Sequence, residues 1–245
     1  MCIPKIIHYC WFGGNDFSEL NRKCIESWKK NCPDYKIIKW DESNYDIEKN
    51  EYLRSASKLK KWAFVSDFAR LDVVNEYGGI YLDVDVELLK SFDEFLDCKS
   101  FWGIEKVDKE CFVNSGLGFG SKKQNVLLLD LMSIYDGYDK EAPFTPCPIL
   151  QKKVFANLGV GSGNTIQNID GNLFYPSEYF APKNYNTGKI KLTDNTVSIH
   201  HYASSWVTDS QTEYEKKLKL YSKFFGKRLA EYVISIKNKI NNKGG

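Results

Sequence analysis

Histidine is nearly missing from this sequence: three occur in 245 residues, His8, His200 and His201, and methionine occurs twice. No Cys-X-X-Cys pair is present, so the spacings of zinc fingers and redox dithiols are excluded. The seven cysteines (Cys2, Cys10, Cys24, Cys32, Cys98, Cys111, Cys147) are an odd number with only Cys24 and Cys32 near one another, which reads as a reduced, cytoplasmic setting. No apolar run reaches the ~18 residues of a membrane-spanning helix, and no internal repeat is visible. The opening Met1-Cys2-Ile3-Pro4-Lys5 has no basic region followed by a long apolar stretch, so no signal peptide is expected. Charge of one sign is lacking too: 34 Lys and Arg nearly cancel 32 Asp and Glu, which argues against a nucleic-acid partner. Gly159 to Gly163 follows a helical stretch, lacks the Gly-X-Gly-X-X-Gly spacing and has no Lys-Ser/Thr, so dinucleotide and P-loop readings fail and a mobile loop is expected.

What is present centres on Gly78 to Leu89. Ile80, Leu82, Val84, Val86 and Leu88 alternate with Tyr81, Asp83, Asp85 and Glu87, a two-residue period that predicts one strand with a buried face. Asp83 and Asp85 then point the same way about 7 Å apart, close enough for one cation or its water shell to connect them. An Asp-X-Asp occurs about once by chance in a chain of this composition, so a solvated acidic face stands beside the metal-and-diphosphate reading until context decides.

The rest of the chain supplies that context. Ile3 to Phe12 reads as a buried strand ending at Gly13-Gly14, where backbone can approach a ligand. Asp16 or Ser18 caps a helix to about Lys30, and Tyr35 to Trp40 is a second strand, so the chain opens β-α-β with a parallel sheet. A helix from about Leu59 ends at Gly78-Gly79 and carries Asp67 and Arg70 three residues apart, either an internal ion pair or a pair facing the cleft beside the next strand. Further expected elements are a short helix at Phe92 to Leu96 and strands at Ser100 to Ile104 and through the glycine-spaced Asn114 to Gly120. Helices from about Gln124 to Tyr135 and through Leu158 follow, then strands at Leu173 to Tyr175 and Thr196 to His201.

Among single residues, Trp11 could stack on a flat base or simply fill the core, and His8 reads as a packed, hydrogen-bonded histidine. Asn114 is a polar contact or a turn amide. His200 and His201 are a weak metal signal against ordinary surface histidines, and a cation held by Asp83 and Asp85 needs a third ligand. From Glu213 to Gly245 nine Lys and Arg face three Glu, a net of +6 on an amphipathic segment that either docks on an anionic membrane surface or packs on its own domain.

Taken in order, Pro4-Lys5-Ile6-Ile7-His8 with Trp11-Phe12-Gly13-Gly14, Ser66-Asp67-Phe68-Ala69-Arg70, Gly78 to Asp85, and His201 with Ser204-Ser205-Trp206 resemble the DXD-containing sugar-binding-region glycosyltransferases. That family includes initiating mannosyltransferases of yeast and capsular and lipopolysaccharide enzymes, and it is distantly like the catalytic domain of the large glucosylating toxins. The resemblance implies an α/β chain of the GT-A type glycosyltransferase fold, with a nucleotide-binding Rossmann-like half fused to an acceptor-binding half around a mixed central sheet. It implies that Trp11 stacks on the donor base, that Asp67 and Arg70 hold donor sugar and phosphate, that Asp83 contacts ribose and metal-bound water, and that Asp85 ligates a divalent cation, manganese ahead of magnesium. His201 falls where the toxins have a metal-ligating glutamate, and Ser204 and Trp206 would touch the diphosphate. The expected catalytic set is Asp67, Arg70, Asp83 and Asp85, the donor-binding set is Trp11, Asp67, Arg70, Asp83, Asn114, Ser204 and Trp206, and the metal set is Asp83, Asp85 and His201.

Electrostatics supports a cation independently. Two carboxylates beside a diphosphate repel it by about 4 kcal/mol per charge pair at 4 Å and an effective dielectric near 20, unless a cation lies between. The expected organisation is a catalytic domain over residues 1–210 and a basic helix over 211–245. The expected activity is retaining transfer of a hexose from a nucleotide-sugar, a UDP-sugar first, to a saccharide or lipid-linked saccharide acceptor in bacterial surface polysaccharide synthesis, at the inner face of the plasma membrane. A nucleotide-sugar hydrolase and a non-catalytic carbohydrate or membrane-surface binding module are the rival expectations.

Overall fold

The apolar run near the start of the chain becomes β1 (Ile6–Cys10), four of whose five residues are buried. The computed structural model describes residues 2–139 and 144–203. α1 (Glu19–Asn31) begins at Ser18, whose hydroxyl accepts the Asn21 amide at 3.2 Å while Asn21 Oδ1 accepts the Ser18 amide at 3.0 Å, a capping box built with asparagine. β2 (Lys36–Trp40) lies parallel to β1, with Ile6 opposite Lys36. α2 (Glu51–Lys58), capped by Asn50, precedes α3 (Trp62–Tyr77), which is buried through most of its length and carries the buried charges Asp67, Arg70 and Asp72. α3 ends at Gly78, and β3 (Gly79–Tyr81) returns parallel to β1. The expected β-α-β opening is therefore present.

Gly78 to Leu89 is not one strand. β3 stops at Tyr81, the chain turns through Leu82 to Asp85, and β4 (Val86–Leu88) joins a different sheet. The Leu82 amide donates to the His8 carbonyl at 3.0 Å and the Val86 amide to the Asp83 carbonyl at 3.0 Å, so the turn is hydrogen-bonded. The alternation was satisfied on both sides of the break, since Ile80, Leu82, Val84, Val86 and Leu88 are all buried. The break changes the carboxylates: on a continuous strand they would stay about 7 Å apart, whereas the turn lets them converge.

A 3₁₀ turn at Asp93–Phe95 leads to β5 (Ser100–Val107), which forms a hairpin with β6 (Glu110–Val113). The glycine-spaced segment splits into a 3₁₀ turn at Ser115–Leu117 and β7 (Phe119–Ser121). Then come α4 (Val126–Ser133), α5 (Cys147–Leu158), β8 (Gln167–Ile169), β9 (Asn172–Tyr175), α6 (Ser177–Phe180) and β10 (Ser198–His200). β8 and α6 are too short to leave a readable periodicity. The main sheet runs β2-β1-β3-β7-β5-β9-β8 with β6 on β5, and β10 pairs antiparallel with β4 in a second, two-stranded sheet. Parallel pairs (β1 with β2 and β3, β5 with β9) and antiparallel pairs (β7 with β3 and β5) make the main sheet mixed.

Each face of this sheet carries its own core. Tyr81 and Trp102 join Phe68, Leu71, Leu128 and Phe155 of α3, α4 and α5. Their neighbours Ile80 and Phe101 join Trp28 of α1 and Phe180 of α6 on the other side, as strand alternation requires. His8 is fully buried where β1, β2 and β3 meet; its Nε2 donates to the Gly78 carbonyl at 2.8 Å and its Nδ1 accepts from Trp40 Nε1 at 3.1 Å. It is thus the packed, hydrogen-bonded histidine that was expected, and burial pushes the imidazole down to about 4, so the ring is neutral. Gly79 passes so close that a Cβ there would lie 2.7 Å from the Ile6 carbonyl, at a φ of +111°.

Candidate functional site

α3 places Asp67 and Arg70 one turn apart, and both are buried. Arg70 Nη2 lies 3.0 Å from Asp67 Oδ1 and 3.3 Å from Asp83 Oδ1. The two sequence readings therefore merge, because the ion pair exists and it faces the turn after β3. Tyr81 fixes the third corner: its ring lies 5.0 Å from the Arg70 guanidinium and its hydroxyl donates to Asp83 Oδ1 at 2.8 Å. Behind them, Arg70 Nε donates to the Ser66 carbonyl at 3.1 Å, and the Cys147 thiol and backbone amide at the start of α5 hydrogen-bond the Asp67 carboxylate.

Burial pushes the Asp67 carboxyl up to about 6 against the pull of Arg70, with Asp83 adding to the rise. Burial also raises Asp83; Arg70 opposes it and Asp85 reinforces it. Asp85 behaves oppositely. Its burial is outweighed by the charge and hydrogen bond of His200 and by the Ala203 amide, 2.8 Å from Oδ2, which hold it below the usual carboxylate range. His200 is raised in turn, because Asp85 overrides a burial that would lower it. The Cys147 thiol is pushed up by burial and is inert at neutral pH.

Asp83, Asp85 and His200 each offer a ligand atom, all within 4.8 Å of one another. The Asp85 Oδ1 to His200 Nε2 distance is 3.3 Å, and the buried Nδ1 of His200 has no hydrogen-bond partner. Two carboxylates and an imidazole are a donor set that suits a divalent cation. Neither Asp turned out to be a solvated strand residue.

The sequence expectation named His201 as the third ligand, whereas among the described residues it is His200 that lies beside Asp83 and Asp85. In β10, His200 stands opposite Val86, and successive side chains leave a strand on opposite faces. His201 is turned away and its Nε2 meets Glu87 Oε2 at 2.9 Å, while Lys23 Nζ holds Glu87 Oε1 at 3.0 Å. His200 was legible only as the neighbour of the residue chosen. Tyr81 and Cys147 were missed altogether, since nothing local distinguishes an aromatic on a strand or a buried thiol from core.

Asn114 keeps its turn role: Oδ1 accepts the Gly116 amide at 2.8 Å and Nδ2 donates to Glu105 Oε2 at 2.6 Å. It nonetheless borders the site, for a Cβ on Gly116 would lie 3.0 Å from Asp83 Oδ2, 3.1 Å from Asn114 Oδ1 and 3.3 Å from Arg70 Nη1. The close approach expected of the glycine-spaced segment is thus an approach to the Asp83 and Arg70 pair. Trp11, at the end of β1, is half-buried; its Nε1 donates to the Asn15 carbonyl at 2.7 Å and its ring lies 4.6 Å from that of Phe17. It lines a cavity of about 270 Å³ with Arg22, Lys39, Asp41 and Glu42. Ser204 and Trp206 lie outside the described residues.

Residues 18–102 match the family model described as glycosyltransferase sugar-binding region containing DXD motif, a stretch that holds Asp67, Arg70, Asp83 and Asp85. An uncharacterized glycosyltransferase of Acanthamoeba polyphaga mimivirus is 37% identical over 119 residues, 46% of this chain and 47% of that protein. Inositol phosphoceramide mannosyltransferase 3 of Schizosaccharomyces pombe is 28% identical over 125 residues, 48% of this chain and 33% of that protein. The chain thus matches less than half the length of these curated relatives. Among solved structures, the PaToxG glycosyltransferase superposes with a TM-score of 0.53 at 21% identity, over 64% of this chain and 70% of that one. The fold is of the GT-A type, α/β around a mixed sheet.

Proposed function

We propose that this chain is a divalent-cation-dependent glycosyltransferase that moves a hexose, with retention, from a nucleotide-sugar to a saccharide or lipid-linked saccharide acceptor. The observation that carries this is the convergence of Asp67, Arg70, Asp83, Asp85 and His200 from three separate parts of the chain. Asp83, Asp85 and His200 would hold the cation, and a nitrogen among the ligands favours manganese over the all-oxygen shells that magnesium prefers. When bound, the cation supplies charge neutralisation for the departing nucleoside diphosphate. Arg70, clamped by Asp67 and Asp83 and backed by the Tyr81 ring, presents a pre-oriented guanidinium to the donor phosphate side. Asp67, tied to the first turn of α5, holds that guanidinium in place and faces the donor sugar. Trp11 and its cavity take the base, uracil first. No described side chain is assigned as a base toward the acceptor; the departing phosphate takes the acceptor's proton.

The mannosyltransferase relative, named for an inositol phosphoceramide, supports a lipid-linked acceptor. Assignment to bacterial surface polysaccharide synthesis at the cytoplasmic face of the membrane rests on the sequence resemblance alone. The test is manganese-dependent turnover of UDP-hexoses. Asp85→Ala and His200→Ala each lower it by about 100-fold or more, whereas His201→Ala stays within a few-fold of the parent. Undiminished turnover by Asp85→Ala ends the metal proposal, and equal losses at His200 and His201 end the choice of ligand.

A further inference from the structure

The segment from Pro182 to Thr193 folds back on itself as a small hairpin. Lys183 bridges Ile190, the Asn184 amide donates to the Lys189 carbonyl at 2.8 Å, and the Lys191 amide donates to the Pro182 carbonyl at 3.0 Å. These bonds hold the returning arm extended, so Ile190 and Leu192 take one side and Lys189 and Lys191 the other. All four are exposed, Ile190 by 47% and Leu192 by 54%. A single exposed apolar residue is ordinary on a protein surface. Two side by side, interleaved with lysines on a hairpin that has three Lys and no Asp or Glu, form a pattern.

The hairpin hangs from the backbone of the cation site. Lys183 Nζ donates to the His201 carbonyl at 2.6 Å, and the His201 amide donates to the Asp85 carbonyl at 2.9 Å. Side chains of a bridged pair stand on the same side, so Ile190 shares the side from which Lys183 departs. At the base of the hairpin, Lys90 Nζ donates to the Asp194 carbonyl and adds another ammonium. Whatever covers the apolar side is therefore held one hydrogen-bonded residue away from Asp85 and His200.

Charge selects among the candidates for that cover. The chain's own segment from Glu213 carries a net +6, and a second copy would present the same lysines, so both meet like charge. An anionic lipid surface suits both sides of the arm at once. Ile190 and Leu192 enter the boundary between headgroups and acyl chains, while the lysines extend along it to the anionic headgroups. We propose that this hairpin is a membrane-contacting element that sets the cation site down on an anionic bilayer. It is independent of the transferase reading, because vesicle binding needs no donor, metal or turnover. Where that reading holds, the hairpin brings the site to its lipid-linked acceptor.

The experiment is co-sedimentation of the full chain with vesicles of phosphatidylcholine alone and of phosphatidylcholine and phosphatidylserine in equal parts. The parent is expected to bind the mixed vesicles about tenfold more tightly than the neutral ones. Ile190→Ser/Leu192→Ser lowers binding to the mixed vesicles by about tenfold at low and high salt alike. Lys189→Gln/Lys191→Gln lowers it by about tenfold at low salt and much less at high salt. Val126→Ser/Leu129→Ser, which removes two exposed apolar side chains from α4, is the control and binds like the parent. Undiminished binding by the Ile190→Ser/Leu192→Ser variant, or an equal loss in the control, overturns the proposal. So does sedimentation velocity that finds the parent dimeric and this variant monomeric, for then a second copy covers the arm.

Discussion

His8 is the one histidine of the three that does structural work remote from the carboxylates, and it has a pH signature. Buried and neutral, it donates to Gly78 and accepts from Trp40, and its pKa of about 4 lies below the ordinary 6.5. The unfolded chain binds the proton more readily, so the stability this contributes is fully present above pH 6.5 and is lost as pH falls toward 4. The ceiling is about 3 kcal/mol for a shift of this size. Urea unfolding across that window should show the loss, and His8→Gln, while less stable at neutral pH, should flatten it; an equally steep profile in the variant would place the acid sensitivity elsewhere. At the same scale, Asp67 and Arg70 were legible because three residues on a helix mean one side. The choice of His200 over His201 was not, because neighbouring side chains differ only in which strand face they take.

Among elements, the short β4 depends on α1. Trp28 Nε1 donates to the Val86 carbonyl at 2.6 Å, Asn31 Nδ2 to the Leu88 carbonyl at 3.0 Å, and the Ser27 hydroxyl accepts the Leu88 amide at 2.8 Å. Lys23 adds its pairing with Glu87, and Asn21 Nδ2 reaches the Val84 carbonyl at 3.4 Å. A helix at the start of the chain thus fixes the strand just after Asp85, and through it the register that delivers His200. Trp28→Phe should leave the Val86 carbonyl unpaired and cost about 2 kcal/mol. In turnover, the manganese concentration for half-saturation should rise several-fold while the fold is kept, as circular dichroism and a urea midpoint would report. Lost stability with unchanged manganese dependence would mean that α1 supports the core only. A helix start at Asp16 or Ser18 was readable in advance; the role of α1 as a clamp was not, since the bonds span about 60 positions of sequence.

At the scale of the whole molecule, the described residues lie in one compact unit, Met1–Ala203, and no described helix is long and apolar enough to cross a membrane. The basic amphipathic segment read at 211–245 lies outside the described residues. We keep its sequence expectation as a proposal: with a net +6 from Glu213 onward, it brings the chain to an anionic surface. Removal of residues after Glu213 should weaken co-sedimentation with phosphatidylserine-containing vesicles by about tenfold at low salt, with less effect at high salt. Equal sedimentation of the shortened chain would leave the segment as packing.

The β-α-β opening and the longer helices followed from hydrophobic period and caps, which are local, so the sequence by itself determined them. The ordered motifs likewise determined which residues to watch. Whether Gly78 to Leu89 ran straight was beyond it, because the apolar alternation is the same on a straight strand and on one broken after Tyr81. The tertiary structure decided that break. It set Arg70 across from Asp83, paired β10 with β4, and so brought two carboxylates of a turn together with a histidine more than 110 residues away. These are contacts across large sequence separations, set by how sheets and helices pack, and no local pattern encodes them.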